Sequence, residues 1–204
     1  MQFAKVVVFT NALVPLVLML WDVYRNRVGA NPLEFVTRTT GMLTLLFLTF
    51  TLAVTPLRKI TGINKLVKFR RMVGLFAFFY GFLHLTTYVW FDRSFNIRST
   101  IADIAQRPFI AVGMFAFVLM LPLAMTSTNK MIKRLGGKMW ARLHRLVFIA
   151  GAAGVAHYWM LVKSDTRLPL TFGFIMLLLV GYRVFLKLYP TEIPARQTSF
   201  LPKD

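Results

Sequence analysis

The stretch LHRLVFIAGAAGVAHYW, residues Leu143–Trp159, carries two of the three histidines of the chain on one apolar run. The third, His84, sits inside another apolar run. An ionisable side chain in hydrocarbon is costly, so each is a candidate functional group before any structural role is known. Imidazoles that face each other across a helical bundle are typical axial ligands of haem iron.

The flanking sequence is equally apolar. Of 204 residues, 57% are hydrophobic and 16% charged, and the mean hydropathy is positive, a balance too apolar for a soluble domain. The net charge of +18 invites a nucleic-acid reading, but the cations stand in short clusters between apolar runs. That pattern belongs to membrane topology, and no nucleic-acid partner is expected. Cysteine is absent, which removes thioether-attached haem, thiolate-held iron–sulfur clusters and thiol redox cycles. Any redox chemistry therefore belongs to a non-covalent cofactor.

Six apolar runs, Val6–Trp21, Thr39–Val54, Met72–Phe91, Phe109–Met125, Leu146–Val162 and Leu168–Leu186, have or approach the length of a spanning helix. They predict an all-α, integral membrane six-helix bundle forming a single transmembrane domain over 1–204, with helices at about 6–24, 39–56, 72–91, 109–127, 143–162 and 168–188. The first run contains Pro15, ends at Trp21 and Asp22, and lacks a small-residue cleavage site, so it is read as a span rather than a leader. Turns are expected at Asn31-Pro32, Thr55-Pro56, Arg107-Pro108, Gly136-Gly137 and Tyr189-Pro190, and a kink at Pro122.

Loop charge predicts orientation. Arg58–Arg71 holds six basic residues and no acid, and Lys130–Arg145 holds six more and no acid. The opposite loops carry Asp22, Glu34, Asp92, Asp103 and Asp165. The positive-inside rule then predicts a multi-pass protein of the bacterial inner membrane with both termini cytoplasmic. Trp21, Trp90 and Trp159 fall at the outer helix ends, where an aromatic belt belongs.

In that topology His84 and His157 share a depth near the outer ends of helices three and five. A haem held by both is six-coordinate, with no open iron position, which suits electron transfer. His144 precedes His157 by thirteen residues, about 20 Å along a helix, enough for a second haem nearer the cytoplasm. Arg70, fourteen residues before His84, lies within about 40° of the same face as that histidine. His144 and His157 are about 140° apart and share a face only if their helix is distorted, with Gly151 and Gly154 the expected places. Ordinary roles stand beside these: Arg70 as an interfacial anchor, His144 as a loop-end residue, and Gly151 to Gly154 as a small-residue packing face. No loop is long enough for a nucleotide- or flavin-binding domain.

Two long stretches, Thr55–Asp92 and Arg107–Asp165, with the TSTN block Thr126–Asn129 and the W-x-x-L-H spacing from Trp140 to His144, resemble the MsrQ (YedZ) family. These are haem-binding membrane subunits of the periplasmic methionine-sulfoxide reductase system. The resemblance implies a ferric-reductase-like transmembrane domain with haem b between helices three and five. It also implies electron delivery to a periplasmic molybdenum-containing catalytic subunit that reduces methionine sulfoxide in oxidised proteins. Family members are also described with flavin mononucleotide (FMN). In the wider superfamily helix three carries two histidines; this chain has Arg70 where the inner one would stand.

The reading is a non-catalytic electron-transfer subunit, embedded in membrane lipid and supplied by quinol or a cytoplasmic flavin reductase. One haem at His84 and His157 is expected, and a second in contact with His144 and Arg70 is the further option. Two alternatives stand: a self-contained membrane metal (ferric) reductase, and a haem-free transporter or scaffold using the histidines as proton relays.

Overall fold

Asn31 and Pro32 start the longest helix of the protein. The Asn31 side chain accepts from the Glu34 amide at 3.1 Å, and proline fills a first-turn position whose amide would have no partner. In the computed structural model, which describes residues 2–189, this helix is α2 (Pro32–Thr61), closed by Gly62 in the left-handed conformation at φ 71°. Around it stand α1 (Gln2–Tyr24), α3 (Val67–Thr87), α4 (Ile97–Gln106), α5 (Pro108–Met125), α6 (Asn129–Leu135), α7 (Gly137–Leu143), α8 (Leu146–Leu161) and α9 (Arg167–Leu188). A 3₁₀ turn, Asn64–Leu66, leads into α3, and a π-helical turn, Tyr88–Asp92, continues it.

The all-α membrane architecture stands, with corrections. Five helices, α1, α2, α3 with its flanking turns, α5 and α9, are long and apolar enough to cross a membrane. The expected fifth, 143–162, is shorter, α8 with 16 residues, because the chain leaves helical geometry at His144 and Arg145. The distortion lies there and not at Gly151 or Gly154, which are helical. Gly151 faces the Met176 thioether and Gly154 faces Leu45, so this small face serves packing against α9 and α2. The second helix begins at Pro32 rather than near 39 and ends at Thr61 rather than 56, and the third begins at Val67 rather than 72. Helices α4, α6 and α7 occupy segments read as loops. They are too short and polar for hydropathy to mark, and two are set by caps: Asn96 accepts from the Ser99 amide at 3.0 Å and Thr128 from the Met131 amide at 3.2 Å.

Thr55-Pro56 is not a turn. Pro56 lies buried inside α2, and its missing N–H leaves the Leu52 carbonyl, four residues back, without its helical donor. The Arg183 guanidinium from α9 donates to that carbonyl and lies 5.1 Å from the centre of the Phe148 ring of α8. A cation from a third helix thus satisfies the defect, and the helix continues. Pro122 is inside α5 as expected. The Tyr189-Pro190 turn runs beyond the described residues, as do Glu192, Arg196, Lys203 and Asp204.

The core is built on α2, which packs against α1, α3, α8 and α9. Its Phe47 stacks on Tyr80 of α3 with ring centres 5.3 Å apart. Tyr80 is fully buried and its hydroxyl donates to the Ala12 carbonyl at 2.6 Å, fastening α1. On the rim, Val17, Phe82, Val118 and Leu177 stand half or more exposed, the outward apolar face of a bundle solvated by lipid. Because the long helices alternate in direction, Asp22, Glu34, Asp92, Asp103 and Asp165 all come to one end, and the Arg58–Arg71 and Lys130–Arg145 clusters come to the other.

Candidate functional site

Helix α3 packs along α2, and α8 along α5. Each pair holds one half of the site near the acidic end. His84, on α3, has Nδ1 2.8 Å from the Thr37 carbonyl of α2. His157, on α8, has Nδ1 2.6 Å from the Phe109 carbonyl of α5. A carbonyl can only accept, so in both rings Nδ1 carries the proton and Nε2 keeps a lone pair. A metal-ligating histidine usually has this arrangement, one ring nitrogen donating to a fixed acceptor while the other binds.

The two rings lie with centres 6.1 Å apart and planes crossed at 78°. An imidazole nitrogen sits about 2 Å from a bound first-row metal ion, with the ring centre about 1 Å behind it, so two rings on opposite sides of one ion have centres about 6 Å apart. The observed spacing matches. Helices α3 and α8 are not closely packed against each other, which suits a flat group between them. Among the described residues no three histidine or carboxylate side chains gather as a metal site. A bare ion would find only two ligands here, whereas a porphyrin brings four nitrogens of its own and needs two. The donor set fits haem.

His144 and Arg70 lie elsewhere. At the basic end His144 closes α7, stacked on Trp140 with ring centres 3.9 Å apart. Its Nε2 is 3.1 Å from the Thr126 hydroxyl, and the Trp140 indole donates to the Thr126 carbonyl at 2.9 Å. Arg70 and His144 line one cavity of about 50 Å³ together with Thr51, Ser127 and Trp140. The structure therefore brings the four candidate residues together as two separate pairs.

The TSTN block organises this basic end. Thr126 holds His144 and Trp140, Ser127 donates to the Leu123 carbonyl at 2.7 Å, Thr128 caps α6, and Asn129 accepts from Arg71 at 2.6 Å. Sequence reasoning missed the Thr37 and Phe109 acceptors, because a backbone carbonyl leaves no mark in residue type. It also missed the role of Arg183; a cation inside the last apolar run, Leu168–Leu186, was the available signal.

Residues 38–155 match the family described as ferric reductase like transmembrane component. A protein of Herminiimonas arsenicoxydans named protein-methionine-sulfoxide reductase heme-binding subunit MsrQ is 50% identical over 89% of this chain and 84% of its own length. Proteins of the same name from Ralstonia nicotianae and Xanthomonas campestris are 49% and 40% identical, over 91% and 96% of this chain and 86% and 92% of theirs. No solved structure matches the chain. The chain belongs to the MsrQ family, within the ferric-reductase-like transmembrane proteins.

Proposed function

We infer that this protein is the haem-binding membrane subunit of a methionine-sulfoxide reductase system, with His84 and His157 as the axial ligands of a haem b. The observation that carries the reading is the pair of rings 6.1 Å apart, each with Nδ1 committed to a carbonyl and the Nε2 lone pair left free. A haem held there by His84 and His157 would supply a one-electron carrier. The residues of the chain do the rest: two carbonyls hold the imidazoles in one tautomer. In this reading the protein lies in the inner membrane with both termini cytoplasmic, takes electrons from quinol or a cytoplasmic flavin reductase, and delivers them to a periplasmic molybdenum-containing catalytic subunit. Arg70 and His144, beside their shared cavity, form a secondary cofactor-binding site toward the cytoplasm, where Arg70 would face an anionic group such as a propionate.

A bis-histidine centre has no position for substrate, so the subunit should be idle alone. Reduced, haem-loaded protein should reoxidise rapidly when mixed in a stopped-flow instrument with the catalytic partner plus methionine sulfoxide. With methionine sulfoxide alone it should reoxidise negligibly. Equal rates with and without the partner would make the chain an enzyme in its own right.

A further inference from the structure

Two glycines are explained neither by a turn nor by a helix end. Gly41 lies inside α2 and Gly113 inside α5, positions where glycine weakens a helix relative to alanine. Each stands four residues after a carbonyl that holds a candidate ligand: Thr37 then Gly41 for His84, Phe109 then Gly113 for His157. In an α-helix that spacing puts carbonyl and glycine on the same face, one turn apart. A Cβ on Gly113 would lie 2.7 Å from Nδ1 and 2.8 Å from Cε1 of His157, closer than side-chain carbons come to other heavy atoms. A Cβ on Gly41 would lie 3.0 Å from Cε1 and 3.1 Å from Nδ1 of His84. Each imidazole thus lies in a notch where the neighbouring helix has no side chain, and the carbonyl at the lip of the notch fixes its rotation.

We propose that Gly41 and Gly113 are positioning residues that hold the two imidazole planes crossed, so that iron bound between them has crossed axial ligands. This rests on His84 and His157 ligating one haem. The planes meet at 78°. Each imidazole raises the iron d orbital that overlaps its π system. Parallel planes raise one orbital and split the pair, whereas crossed planes raise both alike and leave them nearly degenerate. The low-spin ferric centre then has a highly anisotropic electron paramagnetic resonance spectrum, dominated by one low-field feature, in place of the three-line rhombic spectrum of parallel rings.

The test is that spectrum, with the optical spectrum and midpoint potential, on purified holoprotein and on Gly41→Ala, Gly113→Ala and Gly181→Ala. Gly181 has nothing within 4 Å of its would-be Cβ and is the control. Wild type and Gly181→Ala should give the low-field signal. Gly113→Ala, the tighter notch, should lose it for a rhombic or high-spin signal with a shifted potential, and Gly41→Ala should shift it less. A rhombic wild-type spectrum at full low-spin haem content would overturn the crossed arrangement while leaving the ligand assignment intact. Wild-type spectra and potentials in both glycine variants would overturn the positioning role. A protein without haem would sink the ligand reading itself. Should Gly113→Ala fail to insert, the wild-type spectrum and the milder Gly41→Ala still decide the matter.

Discussion

The hydrogen bonds of single ring nitrogens decide what His84 and His157 can do. With Nδ1 donating to Thr37 and Phe109 carbonyls, both rings have a free Nε2, whereas the Nε2 of His144 is engaged with Thr126. His84→Ala or His157→Ala should therefore abolish the low-spin haem absorbance while the protein still inserts. Thr37→Ala should retain it, because the acceptor is main chain and survives the substitution. His144→Ala or Arg70→Ala should remove at most a separable second component. Haem titration of the purified variants checks all of this, and a His84→Ala protein with full haem content would show the site to be wrong. The two proposed ligands were legible in the sequence because an imidazole is conspicuous in an apolar run. Their supports were not. A carbonyl has no letter, and Gly41 and Gly113 look no different from Gly151 and Gly154, which only pack helices.

Helix α2 shows how far an element can depart from its local propensities. Apolar runs located the long helices, yet Thr55-Pro56 reads as a stop, since nothing in a linear sequence says that a donor from α9 will meet the Leu52 carbonyl. This coupling is measurable. Arg183→Met should destabilise the protein by about 1–3 kcal/mol, the cost of stranding a buried acceptor that had a charged donor. In a Pro56→Ala background the backbone N–H restored at that position takes over the carbonyl, so Arg183→Met should cost distinctly less, the remainder being the contact with Phe148. Thermal unfolding of the four proteins in detergent closes the double-mutant cycle; additive losses would mean that Arg183 does not serve the proline gap. A second element, α4, is held by its own polar fastening. Asp103, with its side chain 11% exposed, pairs with Arg93 and Arg107 and accepts from the Tyr88 hydroxyl at 2.8 Å. Asp103→Ala should loosen the Arg93–Arg107 segment and expose it to trypsin. Asp165→Ala, which removes the largely exposed partner of Arg167, should change nothing measurable. Equal nicking of the two variants would deny Asp103 that role.

For the whole molecule, the alternation of long helices separates charge by end. Every described carboxylate lies with Trp21, Trp90 and Trp159 at the end nearer His84 and His157, while the Arg58–Arg71 and Lys130–Arg145 clusters lie with Arg70, His144 and Trp140 at the other. In the orientation proposed above, where the positive-inside rule puts the basic end in the cytoplasm, the pair His84 and His157 would stand nearer the periplasm, where an extracytoplasmic reductase would dock. Because the chain lacks cysteine, single labels have no background, and the structure supplies sites that are exposed and carry no cap or ion pair. Ala105, on α4, and Lys133, on α6, are both suited by position, the first at the acidic end and the second at the basic end. Ala105→Cys should react with a membrane-impermeant maleimide in intact spheroplasts, and Lys133→Cys only after lysis. The reverse pattern would turn the histidine pair toward the cytoplasm, and with it the edge at which electrons leave, and no periplasmic subunit could then be the acceptor.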